Sequence, residues 1–165
     1  MSFKSFGVTL IELLVVLAIV GIAAVIGMPN LAYTISKVRM DGEINAVLSG
    51  LNLARSEAVK RGLTVSVCPS TNGTSCAAST SWSTGWIVQL DGPPSQLLQT
   101  TAALSRDSLV STSTATPAYP QFTSMGYTFF DSTLTLHDTN ETESLRRCIA
   151  FSAGSWVSRS GAACP

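Results

Sequence analysis

The chain has 165 residues, of which 12% are charged and 45% hydrophobic, and its formal net charge is zero. That length suits one domain plus an appended segment, and so neutral a chain lacks the basic surplus that drives binding to polyanions. The only histidine is His137, and the four cysteines, Cys68, Cys76, Cys148 and Cys164, contain no C-x-x-C step; neither a metal centre nor a bound cofactor is expected.

In chain order, residues 1–7 form a short polar leader with one cation, Lys4, and end in Gly7. From Val8 to Met28 the sequence is uncharged except for Glu12. As a helix rising about 1.5 Å per residue, this run reaches about 31 Å, enough to cross a hydrocarbon core. No further basic residue occurs before Lys37, so the excess of positive charge lies on the N-terminal side. The positive-inside rule then puts the N-terminus in the cytoplasm and the rest of the chain outside the inner membrane. The run is too long for the apolar region of a secretory signal. A plain single-span anchor fits the length but leaves Glu12 unexplained, because a carboxylate at the bilayer centre costs at least about 2.5 kcal/mol.

Beyond Pro29, Leu31, Ile35, Val38, Ile44, Val47, Leu48, Leu51, Ala54 and Ala58 recur at helical steps, with Lys37, Arg39, Asp41, Glu43, Arg55 and Glu57 between them. This is an amphipathic stripe suited to packing on the chain's own sheet, and Lys60-Arg61-Gly62 is a strong helix stop. One long helix from Thr9 to Arg61 is predicted, with a kink or local melting at Pro29. After Gly62 the period changes to two, and strands are expected at residues 63–68, 86–90, 97–104, 126–130, 133–137, 147–151 and 155–158. Residues 70–84 and 111–124, rich in Ser, Thr and Ala, read as surface loops. The fold class is therefore α+β: a long N-terminal helix, transmembrane then amphipathic, packed on a small antiparallel β-sheet head. The chain divides into a leader (1–7), a membrane or filament-core helix (8–28), an amphipathic half-helix (29–61) and a β-rich head (62–165).

On the exported side of the membrane, cysteines persist as disulfides. Four allow three connectivities, and the sequence does not decide among them. Cys68–Cys76 and Cys148–Cys164 are favoured, being close in the chain with Asn72-Gly73 and Ser160-Gly161 as turn formers between them.

Taken together, Phe6-Gly7, the apolar run with Glu12, and Pro29 resemble the N-terminal half of type IV pilin-like proteins. The block Ala54-Arg55-Ser56-Glu57-Ala58-Val59-Lys60-Arg61-Gly62, with Val65-Ser66-Val67-Cys68 and Gly85-Trp86-Ile87-Val88, is similar to the GspH/FimT/FimU branch of minor pilins and pseudopilins. The likeness is good over about residues 1–91 and looser through Arg147-Cys148-Ile149 and Phe151-Ser152. It implies cleavage after Gly7 by a prepilin peptidase and N-methylation of Val8, where the family usually has Phe. It further implies that Glu12 pairs with a neighbouring subunit's N-terminal amine, and that other minor and major pilins or pseudopilins are the partners. The location implied is the inner membrane with a periplasmic head, then a pilus or type II secretion pseudopilus, near the tip, with a role in priming or capping assembly.

The same resemblance carries an alternative, DNA capture, because some FimT relatives use a Gly-Arg-x-Arg motif near the C-terminus. Its counterpart here, Gly154-Ser155-Trp156-Val157, lacks both arginines, leaving Arg146, Arg147 and Arg159 as candidate nucleic-acid contacts. Trp82, Trp86, Trp156 and Tyr127 are candidate partner contacts, although burial is the commoner fate of strand aromatics. An enzyme is not expected: neighbouring strand residues such as His137 and Asp138 point to opposite faces and form no relay.

Overall fold

The computed structural model describes residues 7–152 and 154–164, and for residues 26–30 the backbone alone. The predicted leader, apart from Gly7, therefore lies outside the described residues, as do the side chains of the predicted span at residues 26–28 and that of Pro29. Two compact units are present, Met1–Lys37 and Val38–Pro165. A single helix, α1 (Leu10–Arg61), runs through both, helical at Pro29, so the melting expected there is not seen.

From Leu10 to Val25 the helix is apolar on every side except at Glu12. From Leu13 to Leu17 each side chain is 50–59% exposed, and Ile11, Ile19, Val20, Ile22 and Val25 are exposed as well. Among the described residues no helix is long and apolar enough to cross a membrane; the side chains of residues 26–30, with the predicted end of the span at Met28, are outside the described set.

In the second unit the helix buries Met40, Ile44, Val47, Leu51, Ala54 and Ala58, residues recurring every three or four positions along one face. Leu31, Ile35 and Val38, which the sequence pattern assigns to the same stripe, are exposed instead. The helix stops where Gly62 takes φ of +68° and donates its N–H to Ala58 O at 3.0 Å, a left-handed end that glycine adopts without strain.

The head is antiparallel β-sheet, as expected, arranged as two four-stranded sheets. One has the order β3-β2-β1-β5, formed by β1 (Val65–Pro69), β2 (Trp86–Leu90), β3 (Gln96–Thr101) and β5 (Gln121–Phe122). The other has the order β4-β6-β7-β8, formed by β4 (Ser108–Ser111), β6 (Thr133–His137), β7 (Arg147–Ser152) and β8 (Ser155–Ser160). β1 is buried along its whole length, as a strand covered on both faces must be. One core cluster joins the helix stripe to Val65, Val67, Trp86 and Val88 of the first sheet and to Leu109, Leu134, Leu136, Ile149 and Phe151 of the second.

Two expectations fail locally. Residues 126–130 form no ladder strand, since a tight turn reverses the chain there. Gly126 donates its N–H to Thr123 O at 2.8 Å, Thr123 donates to Tyr127 O at 2.9 Å, and a single bridge pairs Phe122 with Thr128. Residues 111–124 are not wholly loop, because they hold the end of β4 and all of β5. Both strands are too short to show a period.

Candidate functional site

The helix start positions Glu12. Thr9 lies just ahead of the helix, its Oγ1 accepting the Glu12 N–H at 3.3 Å and its carbonyl accepting the Leu13 N–H at 3.2 Å. Thr9 is thus the N-cap, and Thr9-Leu10-Ile11-Glu12 has the T-x-x-E spacing of a capping box. The T-x-x-E spacing is legible in the sequence alone. Glu12 sits in the first turn, where the helix dipole favours an anion. Gly7 and Val8 precede the helix; Val8 is 71% exposed and nothing lies within 4 Å of a Cβ placed on Gly7. Gly7 and Val8, which flank the predicted cleavage site, are both exposed, as is Glu12 in the first turn of the helix.

In the second unit, charged residues tie the helix to the head. Arg39 makes a two-pronged contact with Asp107, Nε to Oδ2 at 2.7 Å and NH2 to Oδ1 at 2.9 Å, and the Asp107 side chain is fully buried. One turn further on, Glu43 faces the same carboxylate. Burial first, then the neighbouring Asp107 carboxylate, which disfavours a second negative charge beside it, raises its pKa to about 7. Asp41 accepts from Arg147 Nε at 2.7 Å.

The candidate nucleic-acid contacts fare differently. Arg147 is buried, and its NH1 donates to the carbonyls of Ser144, Leu145 and Arg146 at 3.3, 3.0 and 3.0 Å, which makes it an internal strut. Arg146 is half-buried, whereas Arg159 is exposed on the outermost strand β8. Trp156 is an anchor: its ring meets Phe122 edge-on at 5.5 Å and Phe151 at 6.3 Å, with the Arg55 guanidinium 5.6 Å from its centre. Trp82 and Trp86 are buried. Only Tyr127 of the four aromatic candidates is exposed, together with Met125 and Phe129, which the sequence reading did not single out. Asp138 accepts from the N–H and hydroxyl of Thr142 at 2.6 and 2.9 Å, so it closes a turn beside His137.

The disulfides are Cys68–Cys76, with Cα atoms 5.4 Å apart, and Cys148–Cys164, at 5.6 Å. Among the described residues no group of His, Cys, Asp and Glu could hold a metal ion.

Comparison with known proteins places this geometry. Residues 43–155 match the family model described as type II transport protein GspH, and residues 2–28 match the prokaryotic N-terminal methylation motif. No curated protein sequence matches the chain. Two crystal structures of the type IV minor pilin FimU of Pseudomonas aeruginosa are similar. One is 20% identical with a TM-score of 0.54, covering 73% of this chain and 90% of that one. The other is 18% identical with a TM-score of 0.57, covering 78% and 92%. At such identity the likeness is one of fold.

Proposed function

Because the chain belongs to the GspH family of minor pilins and pseudopilins, we propose that it primes or caps the assembly of a type IV pilus or type II secretion pseudopilus, near the filament tip. The observation that carries this reading is the helix that starts at Leu10: apolar on all sides up to Val25, with those side chains exposed, and interrupted by one carboxylate at Glu12. A helix that is apolar all round belongs in an apolar surround. Before assembly that surround is the inner membrane, and afterwards it is a sheath of neighbouring helices.

Cleavage after Gly7 by a prepilin peptidase removes the polar leader and creates an amine at Val8, which is then methylated. Glu12 of one subunit and the Val8 amine of the next neutralise each other as both leave water, and an unmatched register strands a carboxylate in apolar surroundings. The partners are therefore other pilins or pseudopilins, and the work of the chain is structural. DNA capture receives less support, since Arg147 is held by Asp41 and Trp156 by its aromatic neighbours.

Mass spectrometry of the subunit recovered from sheared filaments tests the reading. The expected N-terminus is Val8, carrying one methyl group. Recovery of the chain with Met1 intact, in a host with an active prepilin peptidase, overturns it.

A further inference from the structure

The head carries two N-x-T triplets, Asn72-Gly73-Thr74 and Asn140-Glu141-Thr142. Such a triplet is the acceptor of N-linked glycans where it lies on a surface loop of an exported segment. Both asparagines are exposed. The structure separates them by what their side-chain amides are doing.

The Asn72 amide is committed. Its Oδ1 accepts the N–H groups of Thr74 and Ser75 at 2.9 and 3.0 Å, and its Nδ2 donates to Ser75 Oγ at 2.8 Å. The loop that holds it is closed by the Cys68–Cys76 disulfide. Turning this amide toward another reactant breaks three local hydrogen bonds in a segment that cannot extend.

Asn140 is the reverse case. Among the described residues no hydrogen bond holds its side chain, and its neighbours Thr139 and Glu141 are exposed with it. It stands in a turn between β6 and a short 3-10 helix at Glu143–Leu145. The turn is tied at its base, where Glu141 donates its N–H to Asp138 O at 3.0 Å and the Asp138 carboxylate takes the N–H and hydroxyl of Thr142 at 2.6 and 2.9 Å. Glu141 takes φ of +51°, a strained conformation for a residue with a side chain. Opening the turn therefore relieves strain while it frees the Thr142 hydroxyl.

We propose that Asn140 is an N-glycosylation site, that its glycan is delivered on a polyprenyl diphosphate, and that Asn72 is left unmodified. In that step the Asn140 amide nitrogen attacks the anomeric carbon of the first sugar. The new N–C bond replaces the bond from that carbon to the diphosphate oxygen, the lipid diphosphate leaves with the electron pair, and the amide proton passes to a base of the transferase. Thr142 supplies the hydroxyl that completes the triplet. A glycan is bulky and hydrated, so the rim of the head around Asn140 faces solvent in the filament. The proposal rests on the filament-subunit reading above, which puts the head on the exported side.

Peptide mass spectrometry of the full-length subunit from sheared filaments of its own host tests it, because one digest reads both triplets and the N-terminus. The expected result is a glycan mass on the peptide containing Asn140, none on the peptide containing Asn72, and an N-terminus at Val8. Asn140→Gln and Thr142→Val abolish the added mass, and Thr142→Ser retains it. An unmodified Asn140, or equal modification of Asn72, overturns the proposal while a Val8 N-terminus leaves the filament reading standing. Recovery only of chains with Met1 intact overturns the filament reading and the proposal with it.

Discussion

Arg147 on β7 donates from Nε to Asp41 Oδ1 on helix α1 at 2.7 Å, joining residues 106 positions apart. The Arg147 side chain is 8% exposed and that of Asp41 44%, so the two ends of this contact differ in what their loss leaves behind. Removing Arg147 empties a buried fork and strips a donor from three backbone carbonyls. Removing Asp41 leaves a guanidinium still held by those carbonyls. Arg147→Met is expected to cost about 3 kcal/mol and Asp41→Asn about 1 kcal/mol. Arg147→Lys rescues little, because a single ammonium cannot span the fork. Urea denaturation of the detergent-solubilised chain measures all three.

Glu43 makes the head's stability depend on pH. Its folded pKa is raised from 4.5 to about 7, by burial first and then by Asp107, against the opposing pull of Arg39. The folded state therefore keeps a proton that the unfolded chain releases. The associated stability is fully present below about pH 4.5 and is lost as pH rises through about 7. Because Glu43 is only partly buried, the loss is on the order of 1–2 kcal/mol after solvent screening. Glu43→Gln is expected to flatten the slope between pH 5 and pH 8 and to be more stable than the native chain at pH 8. Thermal unfolding across that range shows whether the slope belongs to this residue.

The two disulfides should contribute unequally. Cys148–Cys164 closes a separation of 16 residues and Cys68–Cys76 one of 8. On chain-entropy grounds these are worth about 3 and about 2.5 kcal/mol. The longer one also fastens the chain after β8 to β7, whereas the shorter one closes a loop directly after β1. Replacing each pair by serines and comparing urea midpoints should give the larger drop for Cys148–Cys164.

How much of this was legible in the sequence follows from where the signal is local. Helix α1 ends at Arg61 as predicted, and β2 and β6 fall on the predicted residues, because periodicity and a glycine stop are properties of consecutive residues. β4 and β5 were missed because Ser108–Ser111 and Gln121–Phe122 are defined by their partners, His137 to Leu134 and Val65 to Ser66. The exposure of Leu31, Ile35 and Val38 was hidden for a related reason: an apolar stripe does not say whether its cover comes from its own chain. Arg147 looked like a surface charge until Asp41 was brought beside it. Thr9 is the opposite case, since its spacing to Glu12 could be read directly.

That cap separates two roles for Glu12. In the first turn its charge stabilises its own helix by about 0.3–1 kcal/mol, and Thr9 as N-cap contributes about 1 kcal/mol to the same helix start. If Glu12 acted only there, Thr9→Ala and Glu12→Gln would impair assembly alike, for both weaken one helix end by similar amounts. Pairing with a neighbour's Val8 amine predicts a split, because Gln keeps the shape and loses the charge, leaving a buried ammonium without its counter-ion at a cost of about 3–5 kcal/mol. Glu12→Gln should therefore lower the subunit's share in sheared filaments at least tenfold, roughly what 1.4 kcal/mol already produces. Thr9→Ala should stay within about twofold of the native chain, since a frayed first turn is re-formed by packing against neighbouring helices. Quantitative immunoblots of filament and membrane fractions read both, and equal membrane levels ensure that the difference lies in assembly.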